Sequence, residues 1–444
     1  MLKNRMETGS NEIHDEDDEG SPIGGSGRET PKMENLESVQ EDGIIAMEEM
    51  KQKRKKALLE FRCLVSDAIL GNYLLGKPKK NLSSKQAKKA IQELKEISLW
   101  GVPLLPTKGH EGTDIVLLKF LKAKDFKVHE AFNMLQKTLK WRRDFMANVD
   151  LEQVLDPDFE KIMYLNCKDK EGQPLCYNIY GPLKDRELYK KFFGSKNDSD
   201  KFIKLKVQLM EKGLKELSFK PGGPNSMVQI TDLKDSPGPG HKEFSFNYKK
   251  SLMLLQNHYP DLIYRNIFIN VPFWYYVYHV MSSKFISQRT KRKFVFARES
   301  NVTRTLLKYI TPENLPVEYG GLYRENDDFF PEDRTSELIV RKNTAGCIQI
   351  PVSEEGVTMI WDFTVVDWDA SYKEEFIPDD EGSYRVLLRE ERERKGGESI
   401  RNSFYISEPG KIVITIDNST YNKKKVFYRF KTKPTVPMYV SYKK

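Results

Sequence analysis

Apolar positions follow three different rhythms along the chain. From 47 to 75, Ala57, Leu58, Phe61, Leu64, Val65, Ala68 and Ile69 recur every three or four residues, which predicts one amphipathic helix ended by Gly71 and Gly76-Lys77-Pro78. Ala87 to Leu94 starts a short helix. Thr113 or Asp114 is placed to cap a dense helix over Ile115 to Ala123, and Val128, Phe132, Leu135, Leu139 and Trp141 mark another. At Phe159 the rhythm changes. Met163-Tyr164-Leu165 and Leu175 to Tyr180 flank the turn-forming Lys168-Asp169-Lys170-Glu171-Gly172-Gln173, a hairpin pattern. Helices at 201–217 and 248–256 then alternate with strands at 227–230, 267–269 and 294–297, which predicts crossover units and a mainly parallel, mixed sheet. Beyond Pro331 the helical period disappears. Short β-rich runs near 339–341, 347–350, 357–366, 384–388, 403–406, 412–416 and 425–430, separated by Gly, Pro, Asn and charge clusters, predict a sandwich.

The most uneven stretch is Asn257 to Arg298. The apolar strand Ile267-Phe268-Ile269 is followed by Pro272, suited to a first helical turn, and by Phe273, Trp274, Tyr275, Tyr276, Val277, Tyr278, Val280 and Met281, apolar or aromatic nearly all round. Such a helix must be covered, either by ordinary core packing or by lying over an apolar ligand. It is too short for a bilayer span, which takes roughly 20 apolar residues. Arg289, Lys291, Arg292 and Lys293 come next. Cations at the rim of an apolar pocket suit an anionic lipid.

Composition adds a charge polarity. The formal charge is +8, yet residues 1–50 hold 14 Asp/Glu against 4 Lys/Arg, leaving the remainder with 69 Lys/Arg against 51 Asp/Glu. A basic body of this kind suits acidic membrane surfaces or nucleic acid. The acidic leader has too little apolar content to fold alone and is expected to be disordered. No signal run, spanning segment or prenylation cysteine is read, so the cytosol is the expected compartment. Cys63, Cys167, Cys176 and Cys347 are widely spaced and are expected to be free thiols. No GxxxxGK[ST], GxGxxG, HExxH or GxSxG is present, and the six histidines are scattered, which speaks against an enzyme and against a metal or cofactor. Aromatics are not interleaved with Lys/Arg outside the central stretch, which speaks against nucleic acid.

With this order set, the chain resembles the patellin family of plants: an acidic leader (1–50), a helical region (51–150), a CRAL-TRIO lipid-binding α/β domain (151–325) and a C-terminal GOLD β-sandwich (331–444). The helical resemblance rests on Leu117 to Phe126 with Trp141-Arg142-Arg143. The lipid-domain resemblance rests on Ile230-Thr231-Asp232-Leu233-Lys234, Tyr259-Pro260, Ile269 to Phe273 and Asn314 to Leu322, and the sandwich resemblance on Glu408-Pro409-Gly410-Lys411 and Asp417-Asn418. The resemblance implies a lipid enclosed beneath a mobile gate at Pro272 to Ser287, with Phe273, Trp274, Tyr275, Val277, Tyr278, Met281 and Phe285 facing pocket or membrane. It implies a phosphoinositide headgroup held by Lys124, Thr290 and Lys293, with Asp261 nearby. Lys124 stands where an arginine is more usual, a point charge in place of a bidentate fork. The positions that hold a choline lipid in some members are Met227, Gln229 and Cys176 here, so choline-lipid exchange is not expected. The resemblance further implies a monomeric, non-enzymatic carrier or sensor at plasma membrane, endosomal vesicles or cell plate, serving vesicle trafficking and cytokinesis.

In the sandwich, Lys423, Lys424 and Lys425 follow a turn-rich segment and are expected to project toward an anionic leaflet, helped by Arg429, Lys431 and Lys433. The alternative is an adaptor that holds a protein partner through the sandwich, its pocket structural only.

Overall fold

The computed structural model describes residues 34–76, 84–146, 154–238, 240–273, 275, 291–330 and 333–435. Helix α1 (Glu34–Leu70) begins inside the stretch expected to be disordered, where Glu, Gln and Leu favour helix. Residues 1–54 and 55–444 form two compact units, and the second holds a helical block, an α/β region and a β-sandwich.

Helices α2 (Ser84–Lys95), α3 (Gly112–Ala123) and α4 (Val128–Met146), with the two-residue strands β1 (Ser98–Leu99) and β2 (Val102–Pro103), make the helical block. Its core is the stripe the period predicts: Phe61, Val65, Ala68 and Ile69 meet Val116, Leu117, Phe120 and Leu121 and then Ala131, Leu135 and Leu139. The block shares its core with Val207, Met210, Leu214 and Leu255 of the next region, and a buried carboxylate ties the two together. Arg142 donates to both oxygens of Glu211 (2.5 and 2.9 Å) and the Tyr259 hydroxyl donates to Glu211 Oε1 at 2.5 Å.

Beside that joint His258 stacks on Trp141 (centroids 4.2 Å, planes 6° apart), and its Nδ1 is buried without a partner. Burial lowers its pKa from 6.5 to about 4. The unfolded chain therefore takes up a proton between pH 6.5 and 4 that the native chain refuses, so stability falls as pH falls through this window. Replacing His258 with Gln is expected to flatten urea-unfolding stability between pH 6.5 and 4.5. Equal slopes in both proteins would show that His258 does not carry the effect.

The α/β region starts with α5 (Pro157–Glu160) and a five-stranded sheet in the order β3 (Met163–Lys168), β4 (Pro174–Ile179), β5 (Met227–Asp232), β6 (Ile263–Ile269) and β7 (Phe294–Phe296). The first pair is the expected antiparallel hairpin and the other three pairings are parallel. Asp169 accepts from the backbone N–H of Glu171 and Gln173, and Gly172 (φ +80°) closes the turn. Helices α6 (Arg186–Phe193), α7 (Lys196–Lys215) and α8 (Lys242–His258) cover one face. Asp185 and Ser195 cap α6 and α7 by accepting from the N–H of Leu188 and Asp198. Parallel sheets need both faces covered, and a short helix (Val302–Leu306) with the following turns serves the other.

Eight antiparallel strands form the sandwich: β8 (Ser336–Val340), β9 (Thr344–Val352), β10 (Val357–Val365), β11 (Ala370–Pro378), β12 (Val386–Arg394), β13 (Ile400–Ile406), β14 (Gly410–Asn418) and β15 (Lys424–Pro434). They make two sheets, ordered β13-β10-β15-β8 and β12-β11-β14-β9, around Trp361, Phe363, Tyr372, Phe376, Ile414 and Ile416. Strand β11 is one the sequence pattern does not show. Among the described residues no helix is long and apolar enough to cross a membrane.

The connector between the α/β region and the sandwich is clamped to the sandwich by charge. Asp362, fully buried, accepts from Arg324, Arg401 and Arg429, while Asp327 accepts from Arg401 and Arg429, both at 2.6 Å. Phe329 lies 4.2 Å from the Arg429 guanidinium.

Candidate functional site

Strand alternation gives the five-stranded sheet two unlike faces. Leu175, Tyr177, Val228, Ile230, Ile267 and Ile269 pack to one side with Leu306, Ile310 and Leu315. The other side carries two rows in register: Cys176, Gln229, Asn266 and Phe294, then Asn178, Thr231, Phe268 and Phe296. The first row is polar from β4 to β6 and ends on Phe294, and the second is polar over β4 and β5 and aromatic over β6 and β7. Phe192, Phe193, Phe202, Leu205 and Leu209 cluster above it from α6 and α7, with Phe244 and Tyr248 from α8. Gln229, on the central strand, is nevertheless only half-buried, and Asn266, Phe294, Phe296 and Tyr275 also keep partial exposure. Helices α6 to α8 thus leave these five side chains partly exposed on a face that is otherwise packed.

At the amino ends of β5 to β7 the chain gathers charge. Lys293 donates to Asp261 Oδ1 (2.7 Å) and to the carbonyl of Ile263 (2.9 Å), and Lys122 Nζ lies 3.8 Å from Asp261 Oδ2. Lys119, 2% exposed, donates to the Asp261 carbonyl (3.1 Å), Asn225 Oδ1 (3.2 Å) and Ser226 Oγ (3.3 Å). Burial lowers the Lys119 pKa to about 7; Asp261 opposes that shift, and Lys122 and Lys293 add to it. Lys122 and Lys293 alone outnumber the Asp261 carboxylate they face, and Lys119 adds a further, partly protonated amine beside it.

The structure thus brings Lys293 and Asp261 together. Thr290 lies outside the described residues. Lys124 closes α3 and, among the described residues, makes no ion pair with Asp261; its neighbour Lys122 faces that carboxylate instead. Lys119 and Lys122 are the members sequence reasoning missed. Of the gate residues, Phe273 is 81% exposed and Tyr275 packs on Phe268 (5.5 Å), whereas Trp274, Val277, Tyr278, Met281 and Phe285 lie outside the described residues.

The basic run of the sandwich needs correction. Lys423 is exposed, but Lys424 is buried and its ammonium donates to the carbonyls of Asp367 (3.1 Å) and Trp368 (2.6 Å). Strand β15 starts at Lys424, and the two-residue period turns Lys424 inward with Val426. Lys425 pairs with Glu337 (2.9 Å), Lys431 with Asp333 (3.7 Å) and Lys433 with Asp328 (2.8 Å), while Arg429 is buried in the Asp362 cluster. The run is largely neutralised by its own domain.

A cavity of about 1080 Å³ opens at the carboxyl ends of β4 to β6, between them and the sandwich loops. Its walls include Asp232, Glu299, Glu318, Asp369 and Glu398. Burial, with Glu398 and Asp232 nearby, pushes the Glu318 carboxyl above its ordinary range. With Asp367 these carboxylates outnumber the two lysines of the wall, Lys234 and Lys395, so this end of the sheet is acidic where the other is basic. All four cysteines are free, and among the described residues no His/Cys/Asp/Glu group could hold a metal.

Comparison with known proteins agrees with this architecture. The family "CRAL/TRIO domain" matches residues 158–321, "CRAL/TRIO, N-terminal domain" matches 81–137, and "Patellin-1-like, C-terminal GOLD domain" matches 341–425. The chain is 47% identical over 340 residues to Patellin-4 of Arabidopsis thaliana, covering 76% of this chain and 62% of that one. It is 43% identical over 356 residues to Patellin-6 of the same plant, covering 77% and 86%. It is 29% identical over 217 residues to the phosphatidylinositol transfer protein SFH5 of Kluyveromyces lactis, covering 47% and 68%. The chain therefore spans less than two thirds of Patellin-4.

Proposed function

Since the chain belongs to the patellin family, we propose that it is a non-enzymatic carrier or sensor of phosphoinositide, working at anionic membranes in vesicle trafficking and cell-plate formation. The observation that carries the reading is the Lys293–Asp261 pair, joined by Lys119 and Lys122, at the edge of the sheet face that carries Phe268, Phe294 and Phe296. The phosphate would displace Asp261 as the partner of Lys293, and Lys124 and Thr290 would complete its shell. The acyl chains would lie along Phe268, Phe294 and Phe296. The name of the phosphatidylinositol transfer protein with which 217 residues of the chain align supports this chemistry.

Membrane contact falls to the lipid-binding domain. On the outer side of α8, Lys242, Phe246, Lys249 and Met253 follow one another at helical spacing, and Phe246 and Met253 are 67% and 52% exposed. Apolar side chains interleaved with lysines suit an anionic interface. Lys423 and Lys425 are left as an auxiliary contact from the sandwich.

The test is to extract lipid from the purified chain, identify it by mass spectrometry, and measure phosphatidylinositol uptake from vesicles. Lys293→Ala is expected to lower uptake at least tenfold, a difference of about 1.4 kcal/mol, with the thermal midpoint nearly unchanged. Equal uptake in the variant would remove the headgroup assignment. Absence of any lipid in the wild-type chain would favour the adaptor.

A further inference from the structure

Lys206 is the anomaly of the proposed lipid chamber, between this sheet face and its helices. It sits in the middle of α7 on the stripe formed with Phe202, Leu205 and Leu209, all packed toward the inner face of the sheet. The residue is 6% exposed, and its ammonium lies 5.9 Å from the centre of the Tyr248 ring. Among the described residues it has no ion pair. Buried lysines ordinarily have a counter-ion, because an uncompensated charge in an apolar interior is costly. Here the titratable group acting on it is the Cys176 thiol of β4, whose own pKa burial pushes up to about 11, so it supplies no charge at neutral pH. Desolvation lowers the Lys206 pKa to about 8, which leaves it mostly protonated at pH 7.

The wall beside it is also unsatisfied. Asn178 shares the face of Cys176, two residues along β4; it is 1% exposed and its Oδ1 has no donor among the described residues. Gln229 and Thr231 lie next to these two residues on β5. A cation without an anion and an acceptor without a donor stand on the same polar side of a chamber that is aromatic on its far side. They are distinct from the Lys293 cluster. Cys176 on β4 lies at least two strand spacings, about 10 Å, from Ile263 on β6, whose carbonyl holds Lys293.

We propose that Lys206 is a second anion-binding pole inside the chamber, taking the carboxylate or phosphate of an anionic lipid over β4 and excluding lipids with a quaternary ammonium. The inference rests on the reading that the chamber holds lipid, but not on the assignment of Lys293. A choline group placed there would meet a like charge in a water-poor setting, whereas a carboxylate or phosphate would supply the missing partner. A hydroxyl or protonated oxygen on the same ligand would satisfy Asn178.

The test uses the full chain with Lys293→Ala, so that the outer cluster does not contribute, in three forms: Lys206 intact, Lys206→Met and Lys206→Arg. Each is incubated with vesicles holding equal amounts of oleate, phosphatidate and phosphatidylcholine, and bound lipid is counted by native mass spectrometry. The protein with Lys206 intact is expected to favour an anionic lipid over phosphatidylcholine at least tenfold. Oleate uptake identifies a carboxylate and phosphatidate uptake a phosphate. In Lys206→Met that preference is expected to fall to near parity with total lipid retained, and in Lys206→Arg to persist. Delipidated Lys206→Met is expected to melt higher than the parent, since an unpaired buried charge is gone. An unchanged preference in Lys206→Met, or a lower melting point, would overturn the assignment while leaving the carrier reading intact. No lipid in any of these forms would overturn the Lys206 assignment, and no lipid in the chain with both Lys206 and Lys293 intact would overturn the carrier reading as well.

Discussion

Replacing Asp362 with Ala is expected to lower the unfolding free energy of the full chain by about 3–5 kcal/mol, the usual result of removing one member of a buried ionic network. Asp362 is fully buried on β10, and three guanidinium groups converge on it: Arg324 at 3.1 Å, Arg401 through two contacts of 2.6 Å, and Arg429 at 2.9 and 3.1 Å. Without it, three arginines share Asp327 alone. Burial and the neighbouring arginines already push the Arg324 pKa down, so the deletion leaves it more exposed to repulsion. The loss should reach beyond the sandwich. Arg324 and Asp327 belong to the connector from the lipid-binding domain, and Arg429 also donates to the Leu322 carbonyl at 2.6 Å. The variant is therefore expected to be cut by protease in the connector, and a fragment starting at residue 331, which lacks Asp327 and Phe329, should be less stable than one starting at 322. Urea unfolding and limited proteolysis measure both; a change below about 1 kcal/mol, within the range of an exposed pair, would show that the cluster is dispensable.

The same cluster shows where a sequence stops being legible. Helices α1, α3, α4 and α7 could be read because each buries a stripe at three- and four-residue spacing, and the parallel strands because short β-branched runs sit between those helices. Strand β11 could not. Its inward positions are Ala370, Tyr372, Glu374 and Phe376, and a carboxylate in an inward position breaks the pattern. The strand tolerates Glu374 because Trp361 Nε1 and Asn402 Nδ2 donate to it at 3.0 and 2.9 Å, partners 13 and 28 residues away. Lys424 and Arg429 were misread for the complementary reason: a run of cations looks solvated until strand alternation turns some of its members inward onto carbonyls and carboxylates. In the candidate site, Lys293 and Asp261 were accessible through family resemblance. Lys119 and Lys122 were not, since in Leu117-Leu118-Lys119-Phe120-Leu121-Lys122 they read as the wet side of a helix. Lys119 instead crosses to groups 106 to 142 residues away, contacts that no local period encodes.

Gly321→Ala is expected to be as damaging as the loss of Asp362, for a steric reason. A Cβ on Gly321 would collide with the carbonyl oxygen of Leu315 and lie 2.5 Å from its carbonyl carbon. Backbone cannot swing aside as a side-chain tip can. That oxygen is fixed because it accepts from the Tyr323 N–H at 2.9 Å, and the loop is pinned again by Gly321 N–H to Pro316 O (3.1 Å) and Leu322 N–H to Pro312 O (2.8 Å). Leu315 and Leu322 are both fully buried, so the segment cannot shift outward without opening the core. The neighbouring Gly320 carbonyl accepts from Thr364 Oγ1 of the sandwich at 3.1 Å, so displacement of the turn also strains the domain junction. Overpacking ordinarily costs about 1–3 kcal/mol and more when backbone must move, which places this substitution at about 3 kcal/mol or above. Gly222→Ala is the control: Gly222 has φ +76° but nothing within 4 Å of its added Cβ, so it carries only the left-handed backbone cost of roughly 1–2 kcal/mol. Urea midpoints of the two variants decide the matter. If Gly321→Ala loses no more stability than Gly222→Ala, the close approach at Leu315 is not what requires glycine in this turn.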